Sequence, residues 1–244
     1  MNGNSHPLDN VVWAALTGVH AAIATGRGLA RHYPRDMAPF SAVAEPTAHA
    51  YADLAESLSP GVEARLFRPC EEPAPSGWET LSIRPIVQMV IEDRGAVNAA
   101  SAVGGHSIEP LTIDDAADML ALAEIAKPGP LGARAALLGS YFGVREPSTH
   151  RLIAMAGERF RLDGYVELSA ISVHPDARGR GLGRAVTLHL MRHALERAEI
   201  PFLHVFPDNP ALALYTRWGF RERARHYVIW QRPVATIVRG SAAT

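Results

Sequence analysis

The sequence predicts an α/β fold in which a mixed central β-sheet is flanked by helices. Two observations support this prediction. Apolar, β-branched runs typical of strands alternate with amphipathic, helix-like segments along most of the 244 residues. In addition, a glycine-rich turn separates one such run, at residues 164–173, from a helical segment that begins at Leu182, because residues 178–183 read Arg-Gly-Arg-Gly-Leu-Gly. A strand, a glycine turn and a helix in this order are typical of α/β proteins that bind anions at the turn.

The first hundred residues predict an α+β arrangement. Their predicted elements are helices near 11–25 and 46–58, followed by strands near 62–67, 78–83 and 86–92. Residues 98–105 then have the composition of a linker. We therefore expect two units, an N-terminal α+β accessory region over residues 1–100 and a second domain over residues 106–234.

The second unit shows a clearer pattern of elements. In chain order they are a strand at 106–111, helices at 113–126 and 133–140, a hairpin of 141–145 and 151–161, a strand at 164–173, a helix at 182–198, a strand at 202–206, a helix at 209–218 and a strand at 225–231. The helix after the glycine turn carries Leu182, Val186, Leu190 and Ala194 at spacings of four, which predicts packing of this stripe on the sheet.

The composition excludes several classes of protein. No apolar run reaches the roughly 18–20 residues that span a bilayer, and the first ten residues lack the pattern of a signal peptide. Cys70 is the only cysteine, so no internal disulfide can form and we expect a cytoplasmic location. Neither a thiolate cluster nor a histidine and carboxylate cluster has metal-ligand spacing, and we expect no bound metal.

Positive charge is concentrated in the second half of the chain. Residues 1–140 carry 9 basic and 16 acidic side chains, whereas residues 141–244 carry 15 basic and 9 acidic ones. This distribution favours an anionic ligand near the glycine turn. No basic stripe with interleaved aromatic residues is present, so we do not expect a nucleic acid partner.

The glycine turn itself predicts phosphate binding. A turn that opens a helix exposes backbone N–H groups at the positive end of the helix dipole, and glycine lets an anion approach that backbone closely. Arg178, Arg180 and Arg184 add charge. A dinucleotide-binding turn would need G-x-G-x-x-G and a Walker loop would need Gly-Lys-Ser/Thr, and neither pattern is present. The simpler alternative to phosphate binding is that the glycines only allow a tight turn between the strand and the helix.

Residues beyond the turn carry a family resemblance. Asn209, Tyr215 and the pair Gly219-Phe220 follow it at suitable spacing. Together with the order of the elements, this pattern resembles the GNAT superfamily of acyl-CoA-dependent N-acyltransferases over roughly residues 106–233. The resemblance implies the GNAT fold for this unit. Residues 1–100 are then either a degenerate half-copy of the same fold or a separate cap. Residues 127–130 read Lys-Pro-Gly-Pro and end the helix expected at 113–126. This segment and residues 1–100 are expected to shape the acceptor pocket.

The resemblance also implies a binding site for acetyl-CoA, the acyl donor. The CoA pyrophosphate would be held by the turn, at Arg178, Gly179, Arg180, Gly181, Leu182, Gly183 and Arg184. The main chain of Ile171, Ser172 and Val173 would pair with the pantetheine arm like an added strand. Asn209 would lie near the same arm, although a role as a helix N-cap suits it equally well.

Two residues are the expected catalytic groups. Tyr215 occupies the position of the family tyrosine that donates a proton to the departing thiolate. Glu167 corresponds to a family glutamate that deprotonates the incoming amine, directly or through water. A salt bridge from Glu167 to Arg159 or Arg161 is the structural alternative, because an unpaired buried carboxylate is costly. His204 or water would then be the base.

The sequence therefore predicts an N-acetyltransferase that moves an acetyl group from acetyl-CoA to a primary amine by direct attack in a ternary complex. A small molecule or a peptide could supply that amine, and a homodimer is one assembly that the sequence leaves open. The alternative of a different class is a non-catalytic module that senses acyl-CoA.

Overall fold

The computed structural model describes residues 6–91, 93–99 and 106–234. The helices and strands of these residues are, in chain order, α1 Val11–Thr17, β1 Ala30–His32, β2 Ser41–Val43, α2 Ala48–Ser57, β3 Ala64–Arg68, β4 Trp78–Ile91, α3 Arg94–Ala99, β5 Glu109–Leu111, α4 Ala116–Ala126, β6 Tyr141–Arg145, β7 Leu152–Leu162, β8 Tyr165–Val173, α5 Leu182–Glu196, β9 Ile200–Val205, α6 Ala211–Arg217 and β10 Phe220–Pro233.

Eight of the strands form one mixed sheet in the order β3-β10-β4-β9-β8-β7-β6-β5. All neighbours in this sheet run antiparallel except β8 and β9, which are parallel. Strands β1 and β2 form a separate antiparallel pair. The predicted fold class, a mixed sheet flanked by helices, is confirmed.

Two of the N-terminal strands, β3 and β4, belong to the large sheet, whereas only β1 and β2 pair apart from it. Strand β4 lies between β9 and β10, and β3 pairs with the other edge of β10. Residues 1–100 are therefore not set apart from the sheet of the second unit, which the predicted boundary did not anticipate. The pairing of β4 with β10 runs from Ile91 opposite Phe220 to Trp78 opposite Pro233. Most of the predicted linker, at residues 100–105, lies outside the described residues.

Several element boundaries differ from the prediction. The two strands expected at 78–83 and 86–92 form the single strand β4. Pro85 is tolerated within it because β9 pairs with β4 only from Val87 onward, which leaves one side of β4 free at the proline. The helix expected at 133–140 is only a 3₁₀ turn over Ala135–Leu137, and α1 ends at Thr17 before Gly18.

The two faces of the sheet have different covers. Helix α5 packs on one face, and its predicted stripe of Leu182, Val186, Leu190 and Ala194 is fully buried there. The opposite face is covered by α1 and the segment that follows it, through a cluster that includes Phe40, Phe160 and Phe202. This second cover is incomplete and leaves a cavity over β3, β4, β9 and β10. No described helix is long and apolar enough to cross a membrane.

Candidate active site

The candidate site lies where β8 and β9 stop pairing. Their parallel ladder covers only the first three residues of β8, Tyr165 to Glu167. Beyond this point β8 continues to Val173 and β9 to Val205 without further pairing between them among the described residues. A cavity of about 600 Å³ opens between the two strands. On this side it is lined by residues 168–171 of β8, residues 203–205 of β9, Phe206, Asn209, Ala211 and Tyr215.

The far end of β8 offers a free backbone edge to this cavity. Ser172 and Val173 pair with β7 on one side, but they have no strand partner on the side that faces β9. A bulge precedes them, at Ala170, whose φ of 53° is unusual for a residue other than glycine. The Ser172 hydroxyl donates a hydrogen bond to the Ala170 carbonyl at 2.9 Å. The bulge redirects the chain where Ala170 and Ile171 line the cavity, and Ser172 beyond it is buried.

The glycine turn lies next to the end of β8. Gly179 and Gly181 have φ values of 77° and 78°, in the left-handed region that favours glycine, and Gly181 is the N-cap of α5. A Cβ on Gly183 would lie 3.3 Å from Val173 Cγ2, so the start of α5 closely approaches β8. Within the described part of the chain, the N–H groups of residues 179–184 donate no hydrogen bond.

The arginines of the turn are also unneutralised. Arg178, Arg180 and Arg184 form no ion pair with any described carboxylate. Unsatisfied helix-terminal N–H groups together with such side chains form an environment suited to a multiply charged anion. The residues at this turn therefore fit the pyrophosphate of CoA.

Asn209 lies just before α6, whose N-cap is Pro210 and not Asn209 as the alternative prediction had it. Its side-chain Oδ1 accepts a hydrogen bond from the Ala211 N–H at 2.9 Å, which stabilises the start of α6. The residue also lines the cavity. Its side-chain amide nitrogen makes no hydrogen bond to a described residue, so this donor is available to a ligand.

Tyr215 lines the cavity from α6. Its ring packs edge-on against Trp218 and Phe220, at centroid distances of 5.6 and 6.0 Å. Burial raises the pKa of Tyr215 to about 12. The phenol therefore remains protonated at neutral pH, as a proton donor must be.

Glu167 is the last residue of β8 that pairs with β9, so it lies where the two strands begin to separate. It does not line the cavity. It is fully buried, and both of its carboxylate oxygens are engaged. Arg159 donates to it through Nε and Nη2, each at 2.7 Å, and Oε1 lies 2.6 Å from Nδ1 of His204. Burial alone would raise the pKa of Glu167, but the ion pair with Arg159 and the hydrogen bond from His204 outweigh this effect and lower it to about 2. The predicted structural alternative, a salt bridge to Arg159, is therefore present.

His204 links Glu167 to a second group of polar residues. Its Nε2 lies 3.0 Å from Nε2 of Gln88. The amide of Gln88 is oriented by Arg223, which donates to Oε1 at 2.7 Å and also pairs with Asp9. Gln88 is therefore placed to donate to Nε2 of His204, and the carboxylate of Glu167 is placed to accept from its Nδ1. Unlike Glu167, His204 is among the residues that line the cavity, although its side chain is only 1% exposed.

The N-terminal part of the chain forms the other wall of the cavity. Its lining residues are Phe40, Arg65, Phe67, Ser82, Arg84 and Ile86, which face Val228 and Trp230 of β10. Residues 126–130, which comprise the last residue of α4 and the segment after it, close the remaining side. The sequence predicts that both regions shape the acceptor pocket, but it does not identify Arg65 or Arg84 as lining residues. The period-two spacing of residues 82, 84 and 86 was the available signal, since it places them on one face of β4.

Comparisons with known proteins identify the family. The family model for FR47-like proteins matches residues 141–229. A GNAT-family protein from Novosphingobium aromaticivorans, solved by crystallography, is 30% identical over 94% of this chain and 99% of its own, with a TM-score of 0.81. The chain belongs to the GNAT superfamily. The resemblance predicted for residues 106–233 is thus confirmed, and the similarity extends beyond it to 94% of the chain.

Of two further relatives of this GNAT protein, one has lower sequence identity and the other matches only a short segment. A GCN5-related N-acetyltransferase from Kribbella flavida shares the fold at 17% identity, with a TM-score of 0.64 over 94% of this chain and 97% of its own. A mycothiol acetyltransferase from Saccharomonospora viridis is 46% identical over 56 residues, which are 22% of this chain and only 18% of that enzyme. The first of these relatives shows a shared fold, and the second shows a local similarity of sequence. No group of three or more metal-ligating side chains was found in the described residues.

Proposed function

We propose that this GNAT protein transfers an acetyl group from acetyl-CoA to a primary amine, by direct attack of the amine in a ternary complex. The observation that carries this proposal is the cavity at the divergence of β8 and β9. It has Tyr215 in its wall and a free backbone edge at one end. A thioester bound there supplies an acyl group whose departing sulfur needs a proton.

The donor site in this proposal has two parts. The N–H groups of Gly179, Arg180, Gly181, Leu182, Gly183 and Arg184 bind the pyrophosphate, with Arg178 nearby. They are suited to this because they have no acceptor within the described protein and lie at the start of a 15-residue helix. The main chain of Ile171, Ser172 and Val173 binds the pantetheine arm by strand addition, and the free amide of Asn209 lies along the same opening.

Tyr215 is the proposed general acid. Its hydroxyl makes no hydrogen bond to a described residue and is therefore available to the departing sulfur, and its raised pKa keeps it protonated at neutral pH. A tyrosine that only packs its ring would not need to line the cavity, whereas this one does.

The proposed route for the amine proton runs through His204, with Glu167 as a positioning residue. Glu167 cannot itself touch the amine, because it is fully buried and already paired with Arg159. Among the described residues that line the cavity, the other polar side chains are cations, hydroxyls and an amide, so His204 is the group suited to accept a proton. Its Nε2 must first exchange the hydrogen bond from Gln88 for one from the amine or a water.

A panel of primary amines, assayed for acetyl-CoA-dependent thiol release, tests the proposed function. We expect saturable turnover of at least one amine, with mass spectrometry showing a 1:1 acetylated product. Tight binding of acetyl-CoA by calorimetry without turnover across amino acids, peptides, polyamines and aryl amines would contradict the proposal. That result would favour the alternative of a non-catalytic acyl-CoA sensor.

A further inference from the structure

The wall of the cavity formed by the N-terminal strands is strongly cationic. Four basic side chains line the cavity, Arg65, Arg84, Lys127 and Arg159, whereas none of its described lining residues is aspartate or glutamate. The bidentate ion pair with Glu167 neutralises Arg159. The other three cations are not balanced in this way, so this end of the cavity is suited to an anion.

Arg65 is held in place but its charge is poorly satisfied. Its guanidinium carbon lies 4.0 Å from the centroid of the Trp230 ring, which fixes the side chain by stacking. Its Nε is buried without a hydrogen-bond partner, and the nearest carboxylate, Glu63, approaches its Nη2 only at 4.0 Å. The side chain is 19% exposed. A buried donor without a partner is costly, so the described protein satisfies this guanidinium incompletely, and its exposed part can still bind an anionic oxygen in the cavity.

Arg84 approaches the cavity from the neighbouring side of β10. Its guanidinium carbon lies 3.9 Å from the centroid of the Phe206 ring, at the end of β9. Its carboxylate contact is Asp208 at 3.6 Å, and because Asp208 is 77% exposed the pair is weak and screened. The guanidinium is therefore free to bind a ligand at low cost.

The sheet register places the two arginines within reach of one ligand. On one side of β10, Arg65 lies opposite Trp230. On the other side, Arg84 lies opposite Val228, which precedes Trp230 by two residues. Strands β3 and β4 flank β10, so the two Cα atoms are about 12 Å apart, and both side chains project from the same face. Phe67 and Ile86 lie beside them on that face.

We propose that the amine acceptor carries an anionic oxygen group, a carboxylate or a phosphate, which Arg65 and Arg84 bind. Its apolar body lies against Phe67, Ile86 and Trp230, and its amine points toward His204. This inference rests on the proposed acetyl transfer and narrows its substrate class. Arg178, Arg180 and Arg184 do not line this cavity, so the anions of the donor and of the acceptor bind to different arginines.

Matched acceptor pairs test the proposal directly. Thiol release would be measured for L-phenylalanine and 4-(aminomethyl)benzoate against their primary amides, and for phosphoethanolamine against ethanolamine. We expect at least one anionic acceptor to exceed its neutral partner in kcat/KM by about 10- to 100-fold, which is the value of a charge-assisted hydrogen bond. The pairs also distinguish a carboxylate from a phosphate. Equal kcat/KM values within every pair would overturn the proposal.

Substitution of Arg65 and Arg84 tests whether these two residues cause the preference for anionic acceptors. In R65Q and R84Q the ratio of anionic to neutral kcat/KM should fall toward one. Arg232 is the matched control, since it is a half-exposed arginine on β10 that pairs with Glu79 and does not line the cavity. R232Q should keep the parent ratio. An unchanged ratio in both R65Q and R84Q would contradict the assignment.

Direct binding separates this proposal from the proposed function. Calorimetry with N-acetyl-L-phenylalanine, phenyl phosphate and N-acetyl-L-phenylalaninamide requires no turnover. Binding of either anion that exceeds binding of the amide and is lost in R65Q would support the anion site even if no amine is acetylated. Turnover of neutral amines without any anion binding would support acetyl transfer and refute the anion site.

Discussion

Oε1 of Glu167 lies 2.6 Å from Nδ1 of His204 at the point where β8 and β9 separate. Glu167 occupies the last position of the parallel ladder, whereas His204 lines the cavity beyond it. The contact thus connects the buried ion pair with Arg159 to the space in which the reactants would meet. It also fixes the tautomer of the imidazole, because the carboxylate accepts the hydrogen on Nδ1.

We predict that removal of the imidazole lowers turnover without weakening the donor site. His204→Gln should lower kcat/KM by about 10²–10⁴-fold, because it removes the proposed acceptor of the amine proton. Glu167→Gln keeps the imidazole and should lower kcat/KM less, and the Kd for acetyl-CoA, measured by calorimetry, should be unchanged in both variants. A larger loss in Glu167→Gln than in His204→Gln would return the role of base to the carboxylate, and a kcat/KM equal to that of the parent in both variants would favour water.

The ion pair between Glu167 and Arg159 predicts a cost in stability when one partner is removed. Glu167→Gln should lower the free energy of unfolding by about 3–5 kcal/mol at neutral pH, because it leaves a mostly buried guanidinium without its counter-ion. The double variant Arg159→Met with Glu167→Gln removes both charges and should recover part of the loss. Urea denaturation of the parent and the two variants provides the comparison. A single variant as stable as the parent would contradict this account.

The same pair determines a dependence of stability on acid pH. The pKa of Glu167 is about 2 in the folded protein and 4.5 in the reference state, so the unfolded chain binds the proton more readily. Its contribution is therefore fully present above about pH 4.5 and is lost as the pH falls toward 2. In this window the free energy of unfolding should fall less steeply in Glu167→Gln than in the parent.

The sequence predicts the elements of this site better than it predicts their arrangement. The glycine turn, the strand before it and the helix after it follow from local periodicity and from glycine, so the boundaries of β8 and α5 are close to those expected. The contact of Glu167 with Arg159 was foreseeable as an alternative because both lie in one hairpin. The positions of Arg65 and Gln88 were not, because they depend on the pairing of β3 with β10 and on the insertion of β4 between β9 and β10. That pairing joins residues more than a hundred positions apart, for which periodicity contains no information.

Tyr215→Phe should separate binding from catalysis. Without the hydroxyl, kcat should fall by about 10²–10⁴-fold while the Kd for acetyl-CoA stays the same, because the ring contacts with Trp218 and Phe220 are kept. Tyr227→Phe is the control, since Tyr227 lies on β10 and does not line the cavity. Because the pKa of Tyr215 is about 12, the parent should show no alkaline limb from this residue below about pH 11. Unchanged kcat in Tyr215→Phe would exclude the phenol as the acid.

Gly181→Val should weaken acetyl-CoA binding more than it weakens the fold. Gly181 has a φ of 78°, so a side chain there costs about 1–2 kcal/mol in backbone strain. Gly164→Val controls for strain, because Gly164 has a φ of 75° with open space around it and lies in the β7–β8 hairpin turn. Both variants should lose a similar few degrees of Tm. Only Gly181→Val should raise the Kd for acetyl-CoA by calorimetry, by about 10-fold or more, since only its backbone would contact the pyrophosphate. An equal change of Kd in the two variants would mean that strain alone explains the loss, and the turn would not be the phosphate site.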